Sequence, residues 1–360
     1  MIKVYNYNEL NIKKVQIINA FLSKNGLSFD KKPDYCVVIY ENLDIPQAYI
    51  KEDFASNFDI VAFGAIDKKV LKYLCVDEKK QGMGYLEKLI TILIEESIKN
   101  KIDNLFIFTK PSKCYIFMQM GFSLICETNK ISMLEHKSNG ISNYLNDIKN
   151  NTKNIKINDD KNLPISSIVC NLNPMTLGHL KLIQKASAES SILYIFLLSE
   201  DNSFFKFEDR LEMLKKETSN LKNVQIVLGS DYVISSSTFP TYFIKDKKEI
   251  EITQMELDAT LFAKRIAPFL NIKRRYVGTE PLDIVTSKYN EVLKNTFKNQ
   301  NIQLIEVERF KNNNEDIINA TKVREILNYN NYSNTQKIEL IKKYVPLSTI
   351  EIIKEKYLNL

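Results

Sequence analysis

Between Ser167 and Leu327, short apolar runs rich in β-branched residues alternate with stretches of helical period, and no other feature narrows the possible folds as much. Strands are expected at Ser167–Asn171, Ile192–Leu198, Val224–Leu228, Arg275–Val277 and Ile302–Val307. Helices are expected near Leu177–Glu189, Glu208–Lys216, Gln254–Phe269, Ile284–Phe297 and Ala320–Leu327. That order requires parallel strands joined by right-handed helical crossovers, which builds a doubly wound α/β sheet. Such sheets take ligands beyond the carboxyl ends of their strands, so the residues that follow each strand are the first candidates for a site.

The alternation leaves much of the chain unaccounted for. At 360 residues, and with roughly 150 residues to an ordinary domain, two or three domains are expected. The least hydrophobic long stretch, Lys137–Lys161, is rich in Asn, Lys and Asp and has little to bury against its ordering entropy. It reads as a linker over residues 137–163, with one short helix carrying Ile141, Tyr144 and Leu145 on a single face, between domains at 1–136 and 164–360. Fifty basic against forty-four acidic side chains leave a net charge of +6, and the lysines are scattered, which gives nucleic acid binding little support. Cysteines at 36, 75, 114, 126 and 170 form no CxxC pair and are expected as reduced, mostly buried thiols. No His/Cys/Asp cluster has the spacing of a zinc site. No apolar run nears the roughly 18 residues of a membrane span, and the first residues show no basic leader ahead of an apolar core. A cytoplasmic protein that makes no use of membranes is expected.

The turn after the first strand of the α/β block holds Asn171, Asn173, Pro174, Thr176, Gly178 and His179. Pro174 breaks the strand, Gly178 lets the backbone approach a ligand, and His179 falls in the first helical turn. Helix N-terminal N–H groups attract phosphate, and an imidazole there can donate to the same oxygens. Two readings of His179 stay open at this point: a capping or packing residue, and a phosphate ligand. Gly229, Ser230 and Asp231 follow the third strand, where short polar side chains could meet a nucleotide or a carboxylate. Gly278, Thr279 and Glu280 follow the fourth, with Glu280 alternatively paired to Arg274 or Arg275. Asp209 and Arg210 are expected to cap and brace a helix.

Thr176-Leu-Gly-His179 resembles the (H/T)-x-G-H signature of the nucleotidyltransferase superfamily, whose members cleave nucleoside triphosphates between the α and β phosphates. Ile318-Asn-Ala-Thr-Lys-Val-Arg324 resembles its I-S-x-[ST]-x-[IV]-R element, although Lys322 and Arg324 also suit a solvated helix face. The sequence departs from the pattern twice, with Thr176 where a first His is usual and Asn319 where a Ser is usual. A hydroxyl carries no charge, so the resemblance implies a larger electrostatic share for His179. The segments Asn171–His179, Glu208–Arg210, Gly229–Ser235, Thr238–Phe243 and Val277–Pro281 resemble one family more closely, the citrate lyase ligases, and this resemblance covers nearly the whole chain.

It implies ATP with Mg²⁺ as the substrate nucleotide, no bound organic cofactor, and acetate as the acid activated to acetyl-adenylate. The acceptor it implies is the thiol of a dephospho-CoA-derived prosthetic group on the acyl carrier subunit of the citrate lyase complex. Thr176, His179 and Arg324 are the catalytic candidates. Asn171, Asn173, Pro174, Gly178, Ser230, Asp231, Gly278, Thr279, Glu280, Asn319 and Thr321 are the candidates for binding ATP. Two rival functions are an adenylyltransferase acting on a phosphate-bearing acceptor and a non-catalytic nucleotide-binding regulator.

In the N-terminal block, a strand at Val70–Val76 runs into Asp77–Gly84 and then a helix carrying Leu86, Leu89, Ile90, Leu93 and Ile94. A Gly-containing turn that opens a helix can cradle a pyrophosphate through its backbone N–H groups. The turn resembles the [QR]-x-x-G-x-[GA] acyl-CoA loop of GNAT acetyltransferases, with Lys79 in first place. Cys114–Phe122 resembles their closing x-x-Y-x-x-x-G-F element. The resemblance implies a GNAT-like α+β domain, with Gln81, Gly82 and Gly84 as candidates for binding a CoA-like arm. Phe117 stands where many such enzymes carry a proton-donating Tyr, which argues against acetyl transfer from acetyl-CoA.

Overall fold

The computed structural model describes residues 1–29, 31–42, 58–153, 155–157, 162–199, 203–234, 239–240, 246–279, 284–310 and 318–358. The chain forms two compact units, Met1–Gly140 with Thr238–Thr253, and Ile141–Ser237 with Gln254–Leu360. The segment from 238 to 253 therefore groups with the first unit, although its sequence lies inside the α/β block.

The first unit carries β1 (Ile2–Asn6), α1 (Ile12–Lys24), β2 (Tyr35–Asn42), β3 (Phe58–Asp67), β4 (Val70–Val76), α2 (Tyr85–Lys99), β5 (Phe106–Thr109), α3 (Cys114–Gln119), β6 (Ser123–Glu127) and β7 (Ser132–Glu135). Its seven-stranded sheet runs β1-β2-β3-β4-β5-β7-β6. Successive side chains on a strand point to opposite faces, so the unbroken apolar run of β2 serves two cores. Val37 and Ile39 meet Leu89, Ile90 and Leu93 of α2 on one face. Cys36 and Val38 meet Ile18, Phe21 and Leu22 of α1 on the other. The parallel strands β4 and β5 pair only at Val70↔Phe106 and Leu71↔Ile107 and separate beyond them.

The second unit begins with α4 (Gly140–Thr152). This helix is longer than the one expected in the linker and is no mere spacer, because Ile141, Leu145 and Ile148 form a buried i, i+4, i+7 stripe. There follow β8 (Ile165–Cys170), α5 (Leu177–Ala188), β9 (Leu193–Leu197), α6 (Phe207–Thr218), β10 (Val224–Leu228) and, from Gln254 on, the remainder of α7 (Lys247–Leu261), whose first turns group with the first unit. A π-helical turn at Phe262–Ile266 leads from α7 into the short α8 (Ala267–Phe269). The chain continues with β11 (Ile272–Gly278), α9 (Ile284–Phe297), β12 (Gln303–Val307), α10 (Ala320–Asn328), α11 (Asn334–Ile341) and α12 (Leu347–Tyr357).

The five-stranded sheet runs β10-β9-β8-β11-β12, and every pair in it is parallel. The chain builds outward from β8 to β10, then returns to the other side of β8 to lay down β11 and β12. Its switch point therefore falls between β8 and β11, where open α/β sheets take their ligands. Those two strands pair only as far as Ser167↔Arg275. Their outer neighbours stay paired to the strand ends, at Cys170↔Leu197 and Gly278↔Val307. A cleft opens in the middle of the sheet as a result.

Candidate active site

The β8–β11 cleft is the mouth of a cavity of about 440 Å³ that also takes in the N-terminal turns of α5 and α10 and the chain just after β12. Thr176 is the N-cap of α5. Its hydroxyl accepts the His179 N–H at 3.3 Å, and its own N–H donates to His179 Nδ1 at 3.1 Å. Because Nδ1 accepts from a backbone N–H, the ring proton of the neutral imidazole sits on Nε2. Burial, and secondarily the charge of Arg309, push the imidazole down to about 4. His179 thus presents a neutral Nε2–H donor, not the cation that the missing first His implied, and the charge at this rim belongs to arginines. The Thr176 hydroxyl, 2% exposed, is held by the cap and lies 2.9 Å from Nδ1.

Across the cavity, Asn319 is the N-cap of α10, its side-chain oxygen accepting the Lys322 N–H at 2.7 Å. The position that departs from the superfamily pattern therefore still caps its helix, and its Nδ2 has no partner among the described residues. One turn on, Arg324 donates to Thr321 Oγ1 at 2.9 Å and, through Nη1, to the carbonyl of Asn173. This bond joins the two sequence motifs, since Asn173 belongs to the loop after β8. Arg324 is thus anchored at the rim, not set on a freely solvated face.

Arg309 is a site residue that the sequence reading missed. It follows β12 and lines the cavity. Its N–H reaches Thr279 Oγ1 at 3.2 Å and its Nε reaches the Thr279 carbonyl at 3.1 Å. Thr279 therefore works from outside the cavity lining, as a clamp on Arg309, whereas Gly278 lies on the lining with open space where a Cβ would stand. The available signal for Arg309 was its place just after a strand, on the ligand-binding edge.

Asn171 and Asn173 line the cavity, but their side chains also hold the loop together. Arg210 is fully buried and donates to the Asn171 carbonyl and side chain, to Leu198 O and to Phe205 O. Asn173 Oδ1 accepts the Phe205 N–H at 3.0 Å. Pro174 follows a cis peptide bond and is not on the lining. Asp209 takes Lys356 Nζ at 2.8 Å and the Tyr357 hydroxyl at 2.6 Å, tying α6 to α12. Asp209 and Arg210 brace, as expected.

Ser230 and Asp231 do not join this site. They follow β10, and β9 and β8 stand between that strand and the cleft. Gly229 is fixed by packing instead, since a Cβ there would lie 2.4 Å from Leu197 O. Glu280 lies outside the described residues, as do residues 235–238. Among the described residues no group of three or more His, Cys, Asp or Glu could hold a metal ion, and no helix is long and apolar enough to cross a membrane.

In the first unit, Gly82 and Gly84 have φ of +78° and +79°, and Gly84 is the N-cap of α2 with no side-chain cap. A Cβ at either would meet nothing within 4 Å, so backbone conformation, not crowding, selects glycine. Gln81 Nε2 lies 3.5 Å from the Val76 carbonyl, and the N–H groups of this turn open α2. Phe117 is buried and Tyr115 is 60% exposed, so the neighbouring tyrosine does not take over the position that Phe117 fills.

Residues 165–353 match the family model for the citrate lyase ligase C-terminal domain. A "[Citrate [pro-3S]-lyase] ligase" of Haemophilus influenzae is 32% identical over 95% of this chain and 96% of its own. A protein of the same name from Escherichia coli is 32% identical over 88% of this chain and 85% of its own. Among solved structures, a putative nicotinate-nucleotide adenylyltransferase from Vibrio parahaemolyticus aligns with 54% of this chain and 93% of its own at 15% identity and a TM-score of 0.33. With relatives at this identity spanning nearly its whole length, and the family model covering its α/β unit, the chain belongs to the citrate lyase ligase family.

Proposed function

We propose that the protein activates acetate with ATP and passes the acetyl group to the thiol of the dephospho-CoA-derived prosthetic group on the acyl carrier subunit of the citrate lyase complex. The observation that carries this reading is the convergence of two helix N-termini, His179, Asn319, Arg309 and Arg324 on the one cavity at the switch point. Backbone N–H groups, neutral donors and two guanidinium groups together suit a triphosphate. In the first step an acetate oxygen bonds to the α-phosphorus, the bond from that phosphorus to the bridging oxygen breaks, and pyrophosphate leaves. In the second the thiolate sulfur bonds to the acyl carbon, AMP leaves with the electron pair of the acyl–oxygen bond, and the thiol proton passes to solvent.

In this reading His179 donates Nε2–H to phosphate oxygen, Thr176 keeps its ring oriented, and Arg324 with Thr321 takes the β and γ groups. Asn319 Nδ2 adds a donor. A Cβ at Gly178 would sit at 3.6–3.7 Å from its neighbours, an ordinary contact, so crowding by the protein does not require glycine there and close approach of a nucleotide would. Catalysis is then positioning and stabilisation of phosphoryl charge. Mg²⁺ entering with ATP would be held by phosphate oxygens, given the lack of an acidic cluster among the described residues. The Gln81–Gly84 turn would take the pyrophosphate of the prosthetic arm. The five free thiols fit a reducing, cytoplasmic compartment.

Acetate-dependent exchange of pyrophosphate into ATP, measured on the purified protein with and without citrate lyase, tests the first step. Exchange that needs acetate supports the reading. No exchange under either condition overturns it and leaves the phosphate-acceptor adenylyltransferase to be assayed.

A further inference from the structure

Arg275 is the last residue of β11 still paired with β8, so it marks the floor of the cleft where the two strands part. It is 1% exposed and lines the cavity. Its guanidinium carbon lies 4.7 Å from the ring centroid of Phe262 and 5.7 Å from that of Tyr289. Nη2 donates to the Tyr289 hydroxyl at 3.0 Å. That hydroxyl donates to one carboxylate oxygen of Asp258, and the other accepts the Ile234 N–H at 3.1 Å. The remaining nitrogens, Nε and Nη1, are buried and have no hydrogen-bond partner among the described residues. A guanidinium sealed from solvent with two donors unmet is unfavourable unless something else completes it.

We propose that Arg275 binds the carboxylate of the acid substrate at the floor of the cleft, below the rim that takes the nucleotide. The proposal rests on the acid-activation reading and assigns that reading a substrate subsite. Arg275 lies three residues before the strand end at Gly278, about 10 Å below the rim at ~3.3 Å per residue. The rim, with its helix N-termini, Arg309 and Arg324, has the donors for several phosphate charges. The floor has one guanidinium between two aromatic rings, with the Asp258 carboxylate one hydroxyl away. Such a site suits a singly charged ligand and disfavours a polyphosphate. The first residue of β8 beyond its pairing with β11, Ile168, is 2% exposed and lines the same cavity, so the wall beside Arg275 suits a methyl group. A small aliphatic acid is the ligand that this combination fits.

The test uses the full chain carrying Arg275→Lys or Arg275→Gln. Pyrophosphate exchange is measured against acetate and ATP concentrations separately, and broadening of the [1-¹³C]acetate resonance is measured without ATP. The expected result is a rise of at least tenfold in KM for acetate, KM for ATP changed less than twofold, and loss of the broadening seen with wild type. An unchanged KM for acetate overturns the assignment while leaving acid activation standing. A rise confined to KM for ATP gives Arg275 to the nucleotide and also overturns it.

If wild type shows no acetate-dependent exchange, the acid-activation reading fails, and broadening alone decides about Arg275. Broadening that needs Arg275 upholds a carboxylate site; broadening that persists in the variants, or is absent from wild type, overturns it. Should both variants fail to fold, wild type labelled with ¹⁵N-arginine serves: a solvent-protected Nε–H signal that shifts with acetate supports the site, and no shift overturns it.

Discussion

Thr176→Val separates a capping hydroxyl from a phosphate-binding one. The substitution keeps the volume of a side chain that is 2% exposed, so it opens no cavity. What it removes is the acceptor for the His179 N–H and the hydroxyl beside His179 Nδ1. Losing an N-cap costs about 1 kcal/mol, within a range of about 0.5–2. For a unit of roughly 200 residues, each kcal/mol lowers Tm by about 2–4 °C, so a fall of about 1–8 °C is expected by thermal unfolding. The Thr176 N–H still holds Nδ1, so His179 is loosened, not lost, and pyrophosphate exchange should slow by about tenfold or less, below the cost of removing a charge-stabilising donor outright. Thr176→Ser restores the acceptor and should recover both stability and rate. Wild-type stability together with a raised KM for ATP would refute this reasoning, because the hydroxyl would then be touching nucleotide and not the helix.

Three further outcomes follow from the same geometry. Arg210→Met leaves the carbonyls of Asn171, Leu198 and Phe205 without their buried donor and should destabilise by about 3–5 kcal/mol in urea unfolding; a loss under about 1 kcal/mol would remove Arg210 as the brace of the site. With the His179 imidazole held down to about 4, the unfolded chain binds the proton more readily between that value and the ordinary 6.5. Its stabilising contribution is therefore full above about pH 6.5 and lost toward pH 4, and exchange should show no His179 inflection between pH 6 and 8; one near 6.5 that vanishes in His179→Asn would contradict the neutral ring. Gly84→Ala forces a side chain onto a φ of +79° and should destabilise by about 1 kcal/mol and raise KM for the carrier subunit without slowing acetate-dependent exchange. An unchanged KM would take the prosthetic arm away from this turn.

The α/β unit was legible because its central strands, β9 above all, are buried on both faces and so stand out as apolar runs between helical periods. Arg275–Val277 came out shorter than the observed Ile272–Gly278 because Lys273 and Arg274 interrupt the apolar pattern. Arg309 was passed over because one arginine among fifty basic residues has no local signature, and only the sheet shows that it shares a rim with His179. Ser230 and Asp231 follow β10, on the ligand-binding edge where the sequence puts them, with β9 and β8 between that strand and the cleft. Chain order says which strand comes third, not that β9 and β8 stand between it and the switch point. In 137–161 the short helix and the face with Ile141 and Leu145 were legible, but the Asn- and Lys-rich average of the segment gave no sign that Ile148 extends that face into a buried stripe.

The two departures from the superfamily pattern, Thr176 and Asn319, were the sequence's support for a nucleotide fold that had lost its chemistry. Their positions in the structure remove that support. Each is the N-cap of a helix whose first turn faces the cavity, and each makes its cap hydrogen bond. Ser, Thr and Asn all serve at an N-cap, with Asn at least as effective as Ser and Thr slightly weaker, so Asn in place of Ser keeps the helix end in position while adding an amide donor. Thr in place of His removes one imidazole, while the tautomer of the other is set by the backbone N–H of residue 176, whatever its side chain, and the Thr hydroxyl caps the helix. Arg309 and Arg324 both lie on the cavity lining, so the positive charge that a histidine pair could have carried is supplied by groups that stay protonated at any working pH. Asn319 changes no charge and Thr176 removes one imidazole, and both keep the helix ends that face the cavity in place, with the two guanidinium groups still on its lining.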